Sequence, residues 1–135
     1  MFNLSHIGIA VRNLNQAVET YSVLLQKEPD LINEVSDQKV RVAIFKAKAD
    51  SNSPSIELLE PLSADSPISR FLDKRGEGLH HIALSVSDIE ATLAHLKEKG
   101  FRLIDETPRR GSEGHKIAFL HPLSFAGVLI ELEEI

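Results

Sequence analysis

Four residues form a pattern suited to metal chemistry: His6, Glu57, His81 and Glu131. The histidines are 75 positions apart (81 − 6) and the glutamates 74 (131 − 57). Each histidine sits in the same phrase. Leu4-Ser5-His6-Ile7-Gly8-Ile9-Ala10-Val11 and Leu79-His80-His81-Ile82-Ala83-Leu84-Ser85-Val86 share a Leu two before the His, an Ile after it and a Val five after it. Each glutamate sits in Ile-Glu-Leu, as Ile56-Glu57-Leu58 and Ile130-Glu131-Leu132. Their neighbours are apolar, and an unpaired carboxylate is expensive in such surroundings. A cation removes that expense. Two imidazoles and two carboxylates suit a divalent ion of intermediate hardness: Co(II), Ni(II), Zn(II), Mn(II) or Fe(II). Four protein ligands leave room on an octahedral ion for water or substrate. A single strand histidine is more often a hydrogen-bonded core residue than a ligand, so the metal assignment rests on the matched set. His80 points to the opposite strand face and reads as a rim or supporting residue. His95 reads as solvated on a helix. His115 and His121, near loops, are candidates for touching substrate.

The elements that must position these side chains follow from periodicity. Residues 3–11 alternate as a strand, with Ile7, Ile9 and Val11 on one face and His6, Gly8 and Ala10 on the other. The His6 face is small, as a cavity wall would be. Asn13 caps a helix over 14–25. Strands follow at 29–34, 40–45 and 55–60, with a polar hairpin loop over 49–54 and Pro61 ending the last. Ser66-Pro67 starts a short helix over 68–74. The second copy repeats the order: strand 79–86, a helix from Asp88 to Lys99 closed by Gly100, strand 101–104, loop 108–114, strand 115–120, a turn at His121-Pro122, and strand 128–133. Val42-Ala43 also aligns with Ile117-Ala118 at the same offset of 75 (117 − 42). The fold class is therefore α+β, with two tandem βαβββ modules. Neither module buries its apolar face alone, so the two pair into one domain spanning 1–135. Module one is 1–61, the connector 62–78 and module two 79–135.

With 135 residues and 42% of them hydrophobic, one ordinary domain can bury a core. A net charge of −5 argues against nucleic acid as a partner. Lys74-Arg75 and Arg109-Arg110 read as solvated charges in preference to phosphate contacts. No apolar run approaches the roughly 18 residues of a membrane span, no signal-peptide pattern opens the sequence, and there are no cysteines. No membrane association is expected, and the expected location is cytoplasmic.

The whole pattern resembles the vicinal oxygen chelate superfamily and, within it, the methylmalonyl-CoA epimerases. The stretches that carry the likeness are His6 to Val11, Ile56-Glu57-Leu58-Leu59-Glu60-Pro61, Gly76-Glu77-Gly78-Leu79-His80-His81, Phe119-Leu120-His121-Pro122 and Gly127 to Leu132. The resemblance implies a cupped mixed sheet around a metal site, with ligands at His6, His81 and Glu131 and a fourth at Glu57. It implies epimerisation of (R)- and (S)-methylmalonyl-CoA by proton removal beside the thioester carbonyl, through a metal-stabilised enolate. A base is then needed on each face of that enolate, and Glu131 and Glu57, from opposite halves, are the candidates. An acyl-CoA substrate and a homodimer are implied as well. The chain departs from the family at Ser5, where Asp is usual, and at Gln26, where Gly is usual. It also departs at Leu123-Ser124-Phe125-Ala126, where Lys-Ser-x-Gly is common. Glyoxalase I, whose ligand pattern also fits, is the alternative enzyme. A metal-free small-molecule binding member and an iron dioxygenase are the remaining alternatives.

Overall fold

Asn13 and Asp88 open helices at equivalent points of the repeat. Asn13 Oδ1 accepts from the Gln16 N–H at 3.0 Å, and Asp88 Oδ1 accepts from the Ala91 N–H at 3.0 Å. A second carboxylate reaches each helix start from the last strand of its own repeat. The Leu14 N–H donates to Glu60 Oε2 at 2.7 Å, and the Ile89 N–H donates to Glu134 Oε2 at 3.0 Å. These bonds satisfy donors that the helix leaves unpaired and put negative charge at the positive end of its dipole.

The computed structural model describes residues 2–49, 53–111 and 113–135. In chain order its elements are β1 (Asn3–Ala10), α1 (Leu14–Leu25), β2 (Leu31–Val35), β3 (Val40–Lys46), β4 (Ser55–Pro61), α2 (Pro67–Arg75), β5 (Gly78–Val86), α3 (Ile89–Glu98), β6 (Arg109–Arg110), β7 (Lys116–Leu120) and β8 (Ile130–Glu134). Short 3-10 turns occupy Ser36–Gln38 and Pro122–Ser124. Of the expected loops 49–54 and 108–114, residues 50–52 and Ser112 lie outside the described residues.

One expected strand is absent. Over 101–104 there is only a bridge between Leu103 and Leu120. The N–H groups of Ile104 and Asp105 both donate to Phe119 O at 3.0 Å, and that of Arg102 to Ser124 Oγ at 2.8 Å. Successive strand donors point to opposite sides, so two neighbours sharing one carbonyl cannot extend a ladder. The short strand falls instead at Arg109–Arg110, inside the expected loop, antiparallel to β7.

The residues pack as two compact units, Ile7–His80 and Met1–His6 with His81–Ile135. In the first the strand order is β2-β3-β4-β1, and the β2–β3 and β3–β4 pairs are antiparallel. Alternation along β3 feeds two cores. Ala43 and Phe45 join Leu14 and Leu58 beneath α1. Val42 and Ile44 join Leu59, Ile68 and Leu72 beneath α2, and Ala10 is buried with them. The cavity wall expected along the His6 face of β1 therefore ends at Ala10, which α2 covers.

In the second unit the order is β5-β8-β7-β6, with β5–β8 parallel and β7–β8 antiparallel. One face packs Ala118, Leu120 and Leu132 beneath Ile89 and Leu93 of α3. The other presents His81, Ser85, Glu131 and Glu133, all buried. The sheet is thus mixed, and three α-helices occur among the described residues. None of them is long and apolar enough to cross a membrane.

Candidate metal centre

Register explains why three of the predicted ligands meet. In the β5–β8 ladder Ala83 lies beside Glu131, and across β7 Phe119 lies opposite it. The small Ala83 leaves space for the carboxylate, and His81, two residues earlier on the same face, leans over it. His6, at the last residue of β1 in this unit, completes the group. His81 Nε2 is 3.0 Å from Glu131 Oε1, His6 Nε2 is 3.5 Å from the same oxygen, and the two Nε2 atoms are 3.1 Å apart. Relative exposures are 2% for His6, 6% for His81 and 6% for Glu131, so all three are held by protein rather than by water. The imidazole rings are nearly perpendicular at 86°, and Phe119 meets the His81 ring edge-on with centroids 5.7 Å apart.

Burial pushes the Glu131 carboxyl up, but hydrogen bonds with His6 and His81 outweigh it and hold the group at about 2. The site is thus an ionised carboxylate facing two imidazole nitrogens. Donors about 2.1 Å from one ion stand about 3.0 Å apart along an octahedral edge and about 3.4 Å along a tetrahedral one. Separations of 3.0, 3.1 and 3.5 Å match that spacing. The set fits a divalent metal ion on donor type and on geometry.

Glu57, the fourth predicted ligand, belongs to the unit Ile7–His80. It is buried on β4, opposite Ile44 of β3. The close group of potential metal donors is His6, His81 and Glu131. His80 turns the other way, and its ring meets Phe71 of α2 at 4.9 Å. His95 is exposed, as expected. His121 Nδ1 accepts from the Leu123 N–H at 3.1 Å and so caps a 3-10 turn. His115 reaches Glu133, with Nδ1 3.3 Å from Oε2. Sequence reasoning missed Glu133 itself. The signal was there, since positions 131 and 133 of a strand share a face. Arg109, expected to be a solvated charge, stacks its guanidinium 5.5 Å over Phe119.

The sequence pattern of the Glyoxalase/Bleomycin resistance protein/Dioxygenase superfamily matches residues 5–119. An ethylmalonyl-CoA/methylmalonyl-CoA epimerase of Cereibacter sphaeroides is 38% identical over 134 residues, covering 98% of this chain and 97% of its own. The mitochondrial methylmalonyl-CoA epimerase of Dictyostelium discoideum is 37% identical over 133 residues, covering 97% and 77%. A solved methylmalonyl-CoA epimerase in complex with methylmalonyl-CoA and NH4+ is 39% identical, with a TM-score of 0.93, and covers 99% of this chain and 94% of that one. The fold is that of the vicinal oxygen chelate proteins, and the chain belongs to the Glyoxalase/Bleomycin resistance protein/Dioxygenase superfamily.

Proposed function

We propose that this chain is a metal-dependent methylmalonyl-CoA epimerase that moves the proton at C2 between the two faces of the substrate. The observation that carries this is the His6, His81 and Glu131 donor set. It lies in a chain 39% identical, over 99% of its length, to an epimerase whose solved structure holds methylmalonyl-CoA. His6, His81 and Glu131 would hold the ion, with Glu57 proposed as the fourth ligand. A divalent ion so bound supplies Lewis acidity to the carbonyl oxygen, where charge develops as C2 loses its proton.

The chain's own residues have two further tasks. Glu131, whose carboxyl His6 and His81 hold in its ionised form, is the residue proposed to take the C2 proton. Both of its histidine contacts fall on Oε1, and Oε2 is the atom proposed to take the proton. Epimerisation needs a second group to return the proton to the opposite face, and Glu57 is the proposed partner. Co(II) as the ion and a homodimer as the assembly belong to the same proposal by family resemblance. A cytoplasmic location belongs to it by composition.

The test is solvent exchange. The protein, loaded with Co(II), is incubated with methylmalonyl-CoA in D2O, and deuterium at C2 is followed by mass spectrometry. Uptake well above the buffer rate, abolished by chelation and restored by Co(II), is expected. Absence of exchange, together with turnover of methylglyoxal plus glutathione, would make the chain a glyoxalase I instead.

A further inference from the structure

Beside the donor set lies a second group of polar side chains with no part in the reaction above. Ser5 Oγ donates to Glu133 Oε1 at 2.5 Å. Ser5 Oγ is also 3.1 Å from His6 Nδ1. His115 Nδ1 lies 3.3 Å from the other carboxylate oxygen, Oε2. Glu133 is only 7% exposed, flanked by Ser85 across the β5–β8 ladder and by Ile117 across β7. A carboxylate is not buried there without partners, and Ser5 and His115 are those partners.

Proton counting gives the group a direction. A serine hydroxyl has one proton, and a carboxylate can only accept. At 2.5 Å the Ser5 proton is committed to Glu133. Toward His6 the hydroxyl oxygen can then only accept, so His6 Nδ1 must carry the hydrogen of their contact. A neutral His6 ring therefore has its lone pair on Nε2, the atom directed at His81 and Glu131, whereas the hydrogen bond it gives Glu131 in the metal-free protein belongs to the imidazolium, which carries a hydrogen on both nitrogens. We infer that Glu133, acting through Ser5, is a positioning pair that fixes His6 in the tautomer and orientation needed to bind a metal through Nε2. The inference rests on the assignment of His6 as a ligand. It extends the site beyond that assignment to residues 5 and 133, which are 128 positions apart in sequence. Partners of metal-bound histidines act this way in general, and losing one typically weakens metal binding about 10–100-fold.

The experiment measures the Co(II) dissociation constant by competition with a chromophoric chelator, without reference to turnover. It also follows the exchangeable, contact-shifted Nδ1–H proton of His6 by NMR of the Co(II) protein. Ser5→Ala is expected to weaken Co(II) binding about 10–100-fold and to lose protection of that proton. Ser5→Thr, which keeps the hydroxyl, is expected to restore both. Glu133→Leu leaves Ser5 free to donate to Nδ1, and is expected to weaken binding at least as much as Ser5→Ala. A Ser5→Ala protein that binds Co(II) within twofold of the parent, with its Nδ1–H still protected, overturns the inference alone. A parent protein that takes up no Co(II) overturns the metal centre together with it.

Discussion

Replacing Glu131 by Gln in the metal-free protein isolates the electrostatics of the donor set. The carboxyl has an ordinary value of 4.5 and is held at about 2 in the folded protein, where burial opposes the shift and the hydrogen bonds to His6 and His81 win. A folded-state value below the unfolded one stabilises the fold at pH above the unfolded value. That contribution is lost as pH falls toward the folded value. The gap of about 2.5 units corresponds to about 3 kcal/mol at neutral pH, falling to about 1 kcal/mol at pH 3 and near zero below pH 2. Glu131→Gln keeps the volume and removes the titration. Asp30, Asp65 and Glu106 are also held below their ordinary values by nearby lysines. They contribute acid sensitivity to parent and variant alike and cancel in the difference. Urea unfolding of both proteins in chelator, at intervals from pH 6 to pH 2, reads out that difference. The stability gap between parent and Glu131→Gln should shrink by about 3 kcal/mol from pH 6 to pH 2. A gap that stays constant over that range would refute the coupling of Glu131 to His6 and His81.

Two further predictions concern the scaffold. Gln26 at the end of α1 and Ala126 before Gly127 both have φ of 57°, a left-handed conformation that costs a side-chain-bearing residue about 1–2 kcal/mol. Gln26→Gly and Ala126→Gly should each stabilise by about 0.5–1 kcal/mol after the entropy of a freer unfolded chain is subtracted. Calorimetry should show a Tm increase of about 2–5 °C for each, and an unchanged or lower Tm would contradict the strain argument. Glu60→Ala and Glu134→Ala each remove a carboxylate from a helix start and should each cost about 1 kcal/mol by urea unfolding. Unequal effects, with one near zero, would mean that the two repeats do not use the contact alike.

The histidine and glutamate positions were legible because duplication wrote them twice and period-2 alternation fixed their faces. His6, His81 and Glu131 meet as the sequence predicts. Helix starts were legible because Asn13 and Asp88 are strong local signals. What stayed hidden depends on partners far apart in the chain. Strand parity puts Glu133 on the Glu131 face, but its pairing with Ser5 exists only through tertiary packing and has no local signature. The strand misplaced to 101–104 failed for a similar reason. Phe101 stacks on Phe125 with ring centroids 5.3 Å apart, and the backbone that follows turns two donors onto Phe119 O. Apolar composition alone does not reveal that turn. His121 also caps a turn, with its Nδ1 accepting from the Leu123 N–H, a role its position near a loop does not announce.

The repeat extends to register along the strands that carry the site. Val42 pairs with Leu59 and Ile44 with Glu57 in one unit. Ile117 pairs with Glu133 and Phe119 with Glu131 in the other. These are the same rungs, offset by 75 from β3 to β7 (117 − 42) and by 74 from β4 to β8 (133 − 59). Leu59 and Glu133 therefore occupy equivalent positions, and both are buried at 5% and 7% exposure. They differ because of what covers them. Leu59 lies under α2, packed on Ile68 and Leu72, where a carboxylate would lose its water and gain no partner. Among the described residues of the second unit, the one α-helix is α3, and it covers the opposite face of the sheet. The face bearing Glu133 carries no α-helix among the described residues of this unit, and Ser5 and His115 supply the buried carboxylate with partners. The same rung thus serves a packed core beneath α2 in one unit and a buried polar group in the other. His6, His81 and Glu131, with Ser5 and Glu133 beside them, lie in the second unit, although Ser5 and His6 come from the first copy of the repeat.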